Sequence, residues 1–172
     1  SRLGGAANVA ANIAALEVGV SLLGLCGEDI VADTLHAELR KACIDSQMLG
    51  CSEISTTVKK RLLAHQQQLM RIDQEHEANV EASQSLYERF LEIYKDYDLV
   101  VLSDYGKGAL LAPQLYIESC NSKNIDVMVD PKGGDFERYA RSTLITPNLR
   151  EFEEIMGVSK EESEFVAKAR LL

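Results

Sequence analysis

The spacing of apolar positions along the chain changes repeatedly, as it does where helices and strands alternate. Several segments carry apolar residues every three or four positions, which is typical of amphipathic helices. Short continuous apolar runs, typical of strands buried in a sheet, lie between them. The predicted helices are 6–16, 30–42, 82–94, 113–123, 148–156 and 160–172, and the predicted strands are 20–26, 48–51, 98–104, 125–130 and 143–146. In helix 30–42 we expect Ile30, Leu35 and Leu39 on one side.

The segment 56–73 has a different character, because it is prone to form strands but is largely polar. Three consecutive glutamines at 66–68 interrupt the pattern, and strand-like sequence resumes at Leu69. This arrangement predicts a two-stranded ribbon or an edge hairpin.

Polar residues follow three successive predicted strands. Asp104 ends the first, Asp130 ends the second, and the stretch 146–148 follows the third. Strands that alternate with helices predict right-handed crossovers and a parallel sheet, so the predicted fold class is α/β. Ligands of such sheets bind beyond the carboxyl ends of the strands, where we expect these residues to lie together. The alternative is that the strand-ending aspartates only cap the loops that follow them.

Composition and charge narrow the classes of function. The chain has 172 residues, of which 46% are hydrophobic and 26% charged, and this fits one globular domain without a disordered linker. Its net charge of −9 argues against a general nucleic-acid binder, because phosphate backbones require a basic surface. A small anionic substrate held by a few local positive groups stays compatible with that charge.

Neither a membrane segment nor a metal motif stands out in the sequence. No apolar run approaches the roughly 18 residues of a membrane span, and the opening residues do not form a signal peptide. The four cysteines form no CxxC pair and lack histidines at metal-ligand spacing, which argues against a zinc enzyme. We therefore expect reduced, mostly buried thiols in a cytoplasmic protein.

Gly4 and Gly5 open the first predicted helix, ahead of Asn8. Glycines at a helix start let backbone N–H groups approach a ligand, and the helix dipole favours polar or anionic groups there. The alternative is a tight turn with a helix cap. The stretch is neither a Walker loop nor a GxGxxG fingerprint, so a dinucleotide-dependent dehydrogenase is disfavoured.

Two loops that follow buried strands combine Asp, Gly and Lys. In the first, Asp104 can accept hydrogen bonds from sugar hydroxyls, and Lys107 can meet a phosphate as a point charge. In the second, Asp130 with Lys132 suits a hydrated Mg²⁺ ion and nucleotide phosphates. Both loops carry glycines, which permit unusual backbone conformations.

Asn148 and Glu151 are three residues apart at the start of a predicted helix. Residues at this spacing share one helix face, so both side chains can point into one crevice. The same spacing is that of a capping box, and this purely structural alternative stays open.

In chain order, the motifs GGAAN (4–8), SDYGKG (103–108), DPKG (130–133) and TPNLRE (146–151) resemble those of the ribokinase family of sugar kinases. The stretches 101–110 and 129–139 are similar, more narrowly, to its heptose-phosphate kinase branch, the kinase domains of bifunctional ADP-heptose synthesis proteins of Gram-negative bacteria. The resemblance covers essentially the whole chain. It implies a ribokinase-like parallel sheet flanked by helices, with 56–73 as part of a small β-lid.

The resemblance also implies an activity and a set of roles. The activity is ATP- and Mg²⁺-dependent phosphorylation of D-glycero-β-D-manno-heptose 7-phosphate at O1, by a cytoplasmic homodimer paired through the lid. The residues implied for the sugar phosphate are Gly4, Gly5, Asn8, Asp104 and Lys107. Those implied for the ATP phosphates are Lys132 and Asn148, and those for Mg²⁺, mainly through water, are Asp130 and Glu151.

The sequence departs from the family in several places. It lacks the Gly-Ala-Gly-Asp stretch of the family's anion hole and catalytic base, and it lacks the first strand with its sugar-contacting Asp. We therefore expect a domain incomplete at both ends, inactive by itself and without a general base among its residues. Glu17 stands where the family usually has Gly, and Ala32 stands where Gly is common.

Two other functions stay open at this point. The chain could belong to another sugar kinase of the same family, acting on fructose, ribose or a phosphorylated ketose. It could also be a non-catalytic fragment that binds a sugar or forms oligomers, which the missing Gly-Ala-Gly-Asp stretch favours.

Overall fold

A computed structural model describes residues 2–65 and 67–171 of the chain. These residues form two compact units. Unit 1 comprises Ser1–Glu92 with Lys107–Leu111, and unit 2 comprises Ile93–Gly106 with Ala112–Leu172. Helices and parallel strands alternate in both, which confirms the predicted α/β class. The parallel strands form two separate sheets, one in each unit.

In unit 1, two parallel strands are connected through a helix. The elements are α1 (Gly5–Ala14), β1 (Ser21–Gly27), α2 (Ile30–Lys41), β2 (Asp45–Cys51), β3 (Val58–Ala64), β4 (Gln67–Gln74) and α3 (Val80–Ile93). Strand β1 pairs with β2 from Ser21 opposite Asp45 onward. Small and branched side chains close the core between α1 and α2, namely Ala7, Ala10, Leu39 and Ile44.

The antiparallel pair β3 and β4 confirms the predicted hairpin. Residues directly opposite each other share a face, so Leu62 with Met70, and Lys60 with Ile72, lie on one side of the ribbon. Lys59 and Asp73 oppose each other on the other side. The three apolar side chains Leu62, Met70 and Ile72 are 52%, 50% and 48% exposed. This side of the hairpin therefore presents three exposed apolar side chains, together with Lys60.

The predicted interruption at 66–68 is wrong for two of the three glutamines. Gln67 and Gln68 belong to β4 and pair with Ala64 and Leu63, while Gln66 lies outside the described residues. The strand tolerates glutamine here because the whole of β4 is exposed, so its side chains need not be apolar.

Unit 2 holds three parallel strands. Its elements are β5 (Leu99–Ser103), α4 (Pro113–Asn121), β6 (Asp126–Asp130), β7 (Leu144–Ile145), α5 (Leu149–Met156) and α6 (Glu162–Ala169). Strand β6 lies between β5 and β7. Ser103 is opposite Asp130 and Val129 is opposite Ile145, so the three strands end at the same edge. The predicted convergence of polar residues at that edge is confirmed.

Two local predictions were wrong. Ile30 is 80% exposed, whereas Leu39 is fully buried. The two residues are nine positions apart, which is about two and a half helical turns, so they face opposite sides of the helix. The cysteines are all free, but only Cys26 and Cys120 are buried, while Cys43 is exposed in the turn after α2. Element ends otherwise differ from prediction by a few residues, and the predicted end of the last helix at 172 lies outside the described residues.

Candidate active site

The start of α1 leaves its backbone N–H groups open to a ligand. Gly4 is the residue before the helix, and no side chain caps it. Gly5 has a φ of +55°, a left-handed conformation that glycine adopts without strain. Gly4, Gly5 and Asn8 are all exposed. The glycines do form a turn before the helix, as the structural alternative predicts, but no side chain caps the helix start.

Lys107 lies in an ion-pair network at the base of the hairpin. Its Nζ is 3.0 Å from a carboxylate oxygen of Glu75, whose other oxygen is 2.6 Å from Nζ of Lys59. The hydrogen bonds from Lys59 and Lys107 lower the pKa of Glu75 to about 2. The same contact with Glu75 raises the pKa of Lys107. Both groups are therefore fully charged at neutral pH.

The backbone around Lys107 is fixed by the segment between β4 and α3. The carbonyl oxygen of Lys107 accepts a hydrogen bond of 2.9 Å from the N–H of Ala78. Gly108 has a φ of +86°, and a Cβ at this position would collide with the carbonyl oxygen of Ala78. Only glycine fits here, which is the physical reason for the second glycine of the motif.

Lys107 also borders a small cavity of about 100 Å³ within unit 1. The Oγ atom of Ser55 and Nδ1 of His76 are 2.8 Å apart at this cavity. These polar groups, with the ammonium group of Lys107, offer donors to an anionic or hydroxylated ligand. The cavity is lined by Leu25, Ile54, Ser55, Thr57, His76, Ala78, Lys107 and Ala109.

In unit 2, Asp104 is buried at the carboxyl end of β5, with 5% of its surface exposed. Its Oδ1 accepts a 2.7 Å hydrogen bond from the N–H of Gly106. Its Oδ2 accepts one of 2.7 Å from the hydroxyl of Tyr139 and lies 3.6 Å from Nη2 of Arg138. Because a carboxylate oxygen can accept two bonds, Oδ1 keeps acceptor capacity for a further partner.

Tyr139 was missed as a candidate site residue. Only 1% of its surface is exposed, and its hydroxyl accepts a 3.2 Å hydrogen bond from the N–H of Lys132 while donating to Asp104. Burial is the main cause that raises the pKa of Tyr139 to about 12. One signal in the sequence could have pointed to Tyr139, namely its position at the end of the motif-bearing stretch 129–139. The apolar pattern around Tyr139 is otherwise that of an ordinary core aromatic residue.

Asn148 and Glu151 form the capping box of α5, which confirms the structural alternative. The Oδ1 atom of Asn148 accepts from the N–H of Glu151, and a carboxylate oxygen of Glu151 accepts from the N–H of Asn148. The side-chain amide nitrogen of Asn148 takes no part in this cap. The other carboxylate oxygen of Glu151 lies 3.7 Å from Nζ of Lys132. The cap thus holds both side chains near the loop after β6.

Asp130 lies next to this pair at the carboxyl end of β6. Partial desolvation and the negative charge of Glu151 raise the pKa of Asp130, and Lys132 offsets part of that rise. The structure thus brings together Asp130, Lys132, Asn148 and Glu151 at one sheet edge. A cation bound beside Asp130 and Glu151 would reduce the repulsion between their two carboxylates.

Comparison with known proteins assigns the chain to a family. The profile of the pfkB family carbohydrate kinases matches residues 1–171. The chain belongs to the pfkB family of carbohydrate kinases. It is 43% identical to the bifunctional protein HldE of Shewanella denitrificans over 99% of this chain and 36% of that protein. It is 44% identical to the HldE protein of Pasteurella multocida over 97% of this chain and 35% of that protein.

Solved structures agree on the fold of this pfkB-family chain. Phosphofructokinase-2 from Escherichia coli matches with a TM-score of 0.77 and 20% identity, over 98% of this chain and 57% of the other. Ribokinase from Giardia lamblia matches with a TM-score of 0.71 and 20% identity, over 94% and 53%. The chain thus spans about a third of the HldE proteins and somewhat more than half of these kinases.

A magnesium ion fits the donors in unit 2 of the pfkB-family chain only as a hydrated ion. Among residues 2–65 and 67–171, no group of three or more His, Cys, Asp or Glu side chains could enclose a metal. Mg²⁺ commonly keeps several waters and uses one or two carboxylates together with substrate phosphates. Asp130 and Glu151 supply that number of carboxylates.

No helix within the described part of the chain is both long and apolar enough to cross a membrane.

Proposed function

We propose that the protein containing this chain is a cytoplasmic, ATP- and Mg²⁺-dependent kinase of D-glycero-β-D-manno-heptose 7-phosphate. The product is the 1,7-bisphosphate, which leads to ADP-heptose and the lipopolysaccharide core. The observation that carries the kinase chemistry is the convergence of Asp104, Asp130 and Asn148 at one edge of the β5–β6–β7 sheet. The choice of a heptose phosphate is supported by the identity of 42–44% to HldE proteins along nearly the whole chain.

The sugar phosphate is bound by exposed backbone and by a few charged groups. The backbone N–H groups at Gly4 and Gly5, with the side chain of Asn8, contact the sugar. Oδ1 of Asp104 accepts a hydrogen bond from a sugar hydroxyl with its remaining acceptor capacity. Lys107 contacts the phosphate of the substrate. The acidic net charge makes this local positive group necessary for holding an anion.

The nucleotide side is formed by the loop after β6 and the start of α5. Lys132 and the side-chain amide nitrogen of Asn148 contact the ATP phosphates. Asp130 and Glu151 hold hydrated Mg²⁺ through its waters. MgATP, when bound, would supply the phosphoryl group, and its Mg²⁺ would neutralise the negative charge that develops during transfer. The role of these four residues is positioning and electrostatic stabilisation, which supply nearly all of the catalysis in phosphoryl transfer.

The β3–β4 hairpin acts as a lid over the sugar, and its apolar face pairs with the hairpin of a second copy. Leu62, Met70 and Ile72 lie on that face, together with Lys60, and are about half exposed. An exposed two-stranded ribbon also presents unpaired backbone groups along its edges, which favours pairing with another strand. The charged face, with Lys59 and Asp73, carries the ion pairs that lead to Lys107.

The proposal is tested with the full-length protein from its source. Purified enzyme is given MgATP and a panel of heptose 7-phosphate, fructose 6-phosphate, fructose and ribose, and the product is identified by phosphorus NMR. We expect phosphorylation of heptose 7-phosphate at O1, and a loss of about a hundredfold or more in Asp130→Asn. Preferred turnover of another sugar would overturn the heptose assignment. No turnover of any sugar would overturn the kinase itself.

A further inference from the structure

The loops after β5 and β6 meet at one buried hydroxyl group. The hydroxyl of Tyr139 donates to Oδ2 of Asp104 at 2.7 Å and accepts from the N–H of Lys132 at 3.2 Å. Asp104 and Lys132 belong to the two motif-bearing loops of unit 2, and the Tyr139 hydroxyl bonds to both. Tyr139 is 1% exposed, so water cannot replace these bonds without opening the core.

We infer that Tyr139 is a positioning residue for phosphoryl transfer, which clamps the loop of Asp104 to the loop of Lys132. The inference rests on the proposed kinase function. One side chain then sets the distance between a sugar-binding loop and a phosphate-binding loop, although it contacts neither substrate. Transfer between two bound substrates depends on such distances, and a displacement of about 1 Å can cost about a hundredfold in rate.

The chemistry of the hydroxyl suits this role. A neutral phenol has one proton to donate and an oxygen that can accept, so it can serve both loops at once. The pKa of Tyr139 is raised to about 12, so the proton stays on the oxygen throughout the physiological range. A tyrosinate could not donate to Asp104 and would repel its carboxylate. The backbone carbonyl oxygen of Lys132, 3.4 Å from the hydroxyl, is a second and more distant acceptor for the same proton.

Arg138, the residue before Tyr139, strengthens the same contact. Both residues belong to the short 3₁₀ turn Glu137–Tyr139. The guanidinium of Arg138 lies 3.6 Å from Oδ2 of Asp104 and 5.4 Å from the centre of the Tyr139 ring. Its positive charge balances the buried carboxylate, which would otherwise be costly to desolvate. The turn therefore places a hydroxyl donor and a positive charge beside the carboxylate of Asp104.

The test removes only the hydroxyl. Tyr139→Phe keeps the ring in the core but deletes the bonds to Asp104 and Lys132. Tyr116→Phe is the matched control, because Tyr116 is equally buried in unit 2, on α4. Both variants are made in the full-length protein. The readouts are amide hydrogen exchange at Lys132 and Gly106, thermal stability, and kcat and KM with MgATP and heptose 7-phosphate.

We expect Tyr139→Phe to exchange the Lys132 amide about tenfold faster and to lower kcat about tenfold or more. A merely structural role would lower Tm while leaving kcat unchanged, and that result would overturn the inference. So would an equal loss of kcat in Tyr116→Phe. Wild-type protein that phosphorylates no sugar would overturn the proposed function, whereas unchanged exchange at Lys132 would overturn the clamp whether or not the protein is a kinase.

Discussion

The ammonium group of Lys107 lies 3.0 Å from the carboxylate of Glu75, at the end of the hairpin. Lys107 is the residue proposed to contact the substrate phosphate, and it already forms an ion pair with another anionic group, the carboxylate of Glu75. A sugar phosphate must therefore compete with Glu75 for this lysine. The pair links ligand binding to the base of the proposed lid.

Removing this competitor should tighten the binding of phosphorylated sugars. In full-length Glu75→Gln we expect the Kd for heptose 7-phosphate to fall about two- to fivefold, because a partly exposed ion pair contributes only modestly. Lys107→Met should weaken binding instead. Isothermal titration measures both, with the unphosphorylated heptose as control. Equal effects of Glu75→Gln on the phosphorylated and unphosphorylated sugar would contradict the proposed competition.

The pKa of Asp130 should follow the charges of the side chains beside it. The pKa of Asp130 is raised above its ordinary value of 3.8 by desolvation and by Glu151, and it is lowered by Lys132. Glu151→Gln should therefore lower the pKa of Asp130, while Lys132→Met should raise it further. Gln also fits the capping box at this position, so α5 keeps its start. NMR titration of the Asp130 side-chain carboxyl carbon gives both values.

The raised pKa of Asp130 also determines how this residue changes the stability of the fold with pH. Because the folded state disfavours ionised Asp130, its contribution to the free energy of unfolding is retained below pH 3.8 and is lost as the pH rises through the raised pKa. Glu151→Gln should make this loss smaller. A pKa of Asp130 that does not move in Glu151→Gln would show that the two carboxylates do not interact.

Gly108 should tolerate a methyl group much less well than Gly133. Both have positive φ, +86° and +84°, but a Cβ at Gly108 would collide with the backbone of Ala78, whereas a Cβ at Gly133 would meet nothing within 4 Å. We expect Gly133→Ala to cost about 1 kcal/mol in the free energy of unfolding and Gly108→Ala at least about 2 kcal/mol more. Urea denaturation gives the difference. Equal costs would argue against the close approach.

Glycine at position 17 should be more stable than a residue with a Cβ atom. Its φ of +61° lies in the left-handed region that residues with a Cβ adopt at a cost of about 1 kcal/mol. Glu17→Gly should therefore be more stable than Glu17→Ala by about 1 kcal/mol in urea denaturation. Comparing the two variants removes any effect of the glutamate charge. A less stable Glu17→Gly would mean that the strain of this turn is negligible.

The apolar face of the hairpin should decide the oligomeric state. Leu62→Lys places a charge on that face, opposite Met70, and should convert the proposed dimer into a monomer. Arg61→Ala changes the neighbouring residue on the other face and should leave the dimer intact. Sedimentation velocity of the full-length proteins distinguishes the two. A monomeric wild type, or a dimer that survives Leu62→Lys, would contradict pairing through this face.

Features that depend on neighbouring residues were predictable from the sequence. The order of helices and strands follows from the spacing of apolar positions. The shared edge of Asp104, Asp130 and Asn148 follows from the rule that parallel strands point the same way. The exposure of Ile30 could also have been predicted, because it depends only on the 3.6 residues per helical turn. The prediction that Ile30 and Leu39 share one side was wrong, since nine positions correspond to about half a turn more than two full turns.

The tertiary structure alone decided which of these residues touch. Tyr139 bonds to Asp104 across 35 positions of sequence, and Glu75 meets Lys107 across the length of α3 and β5. Neither contact has a periodic or local signal, since each arises only when separate elements pack against one another. The sequence by itself determined the elements, the family motifs and the sheet edge that carries polar groups. The fold determined that Asp104 is buried and bonded to Tyr139 and that Lys107 is already paired with Glu75, because burial and partner choice are set by packing between distant segments. The Asn148–Glu151 cap is a local contact, and its spacing was already visible in the sequence.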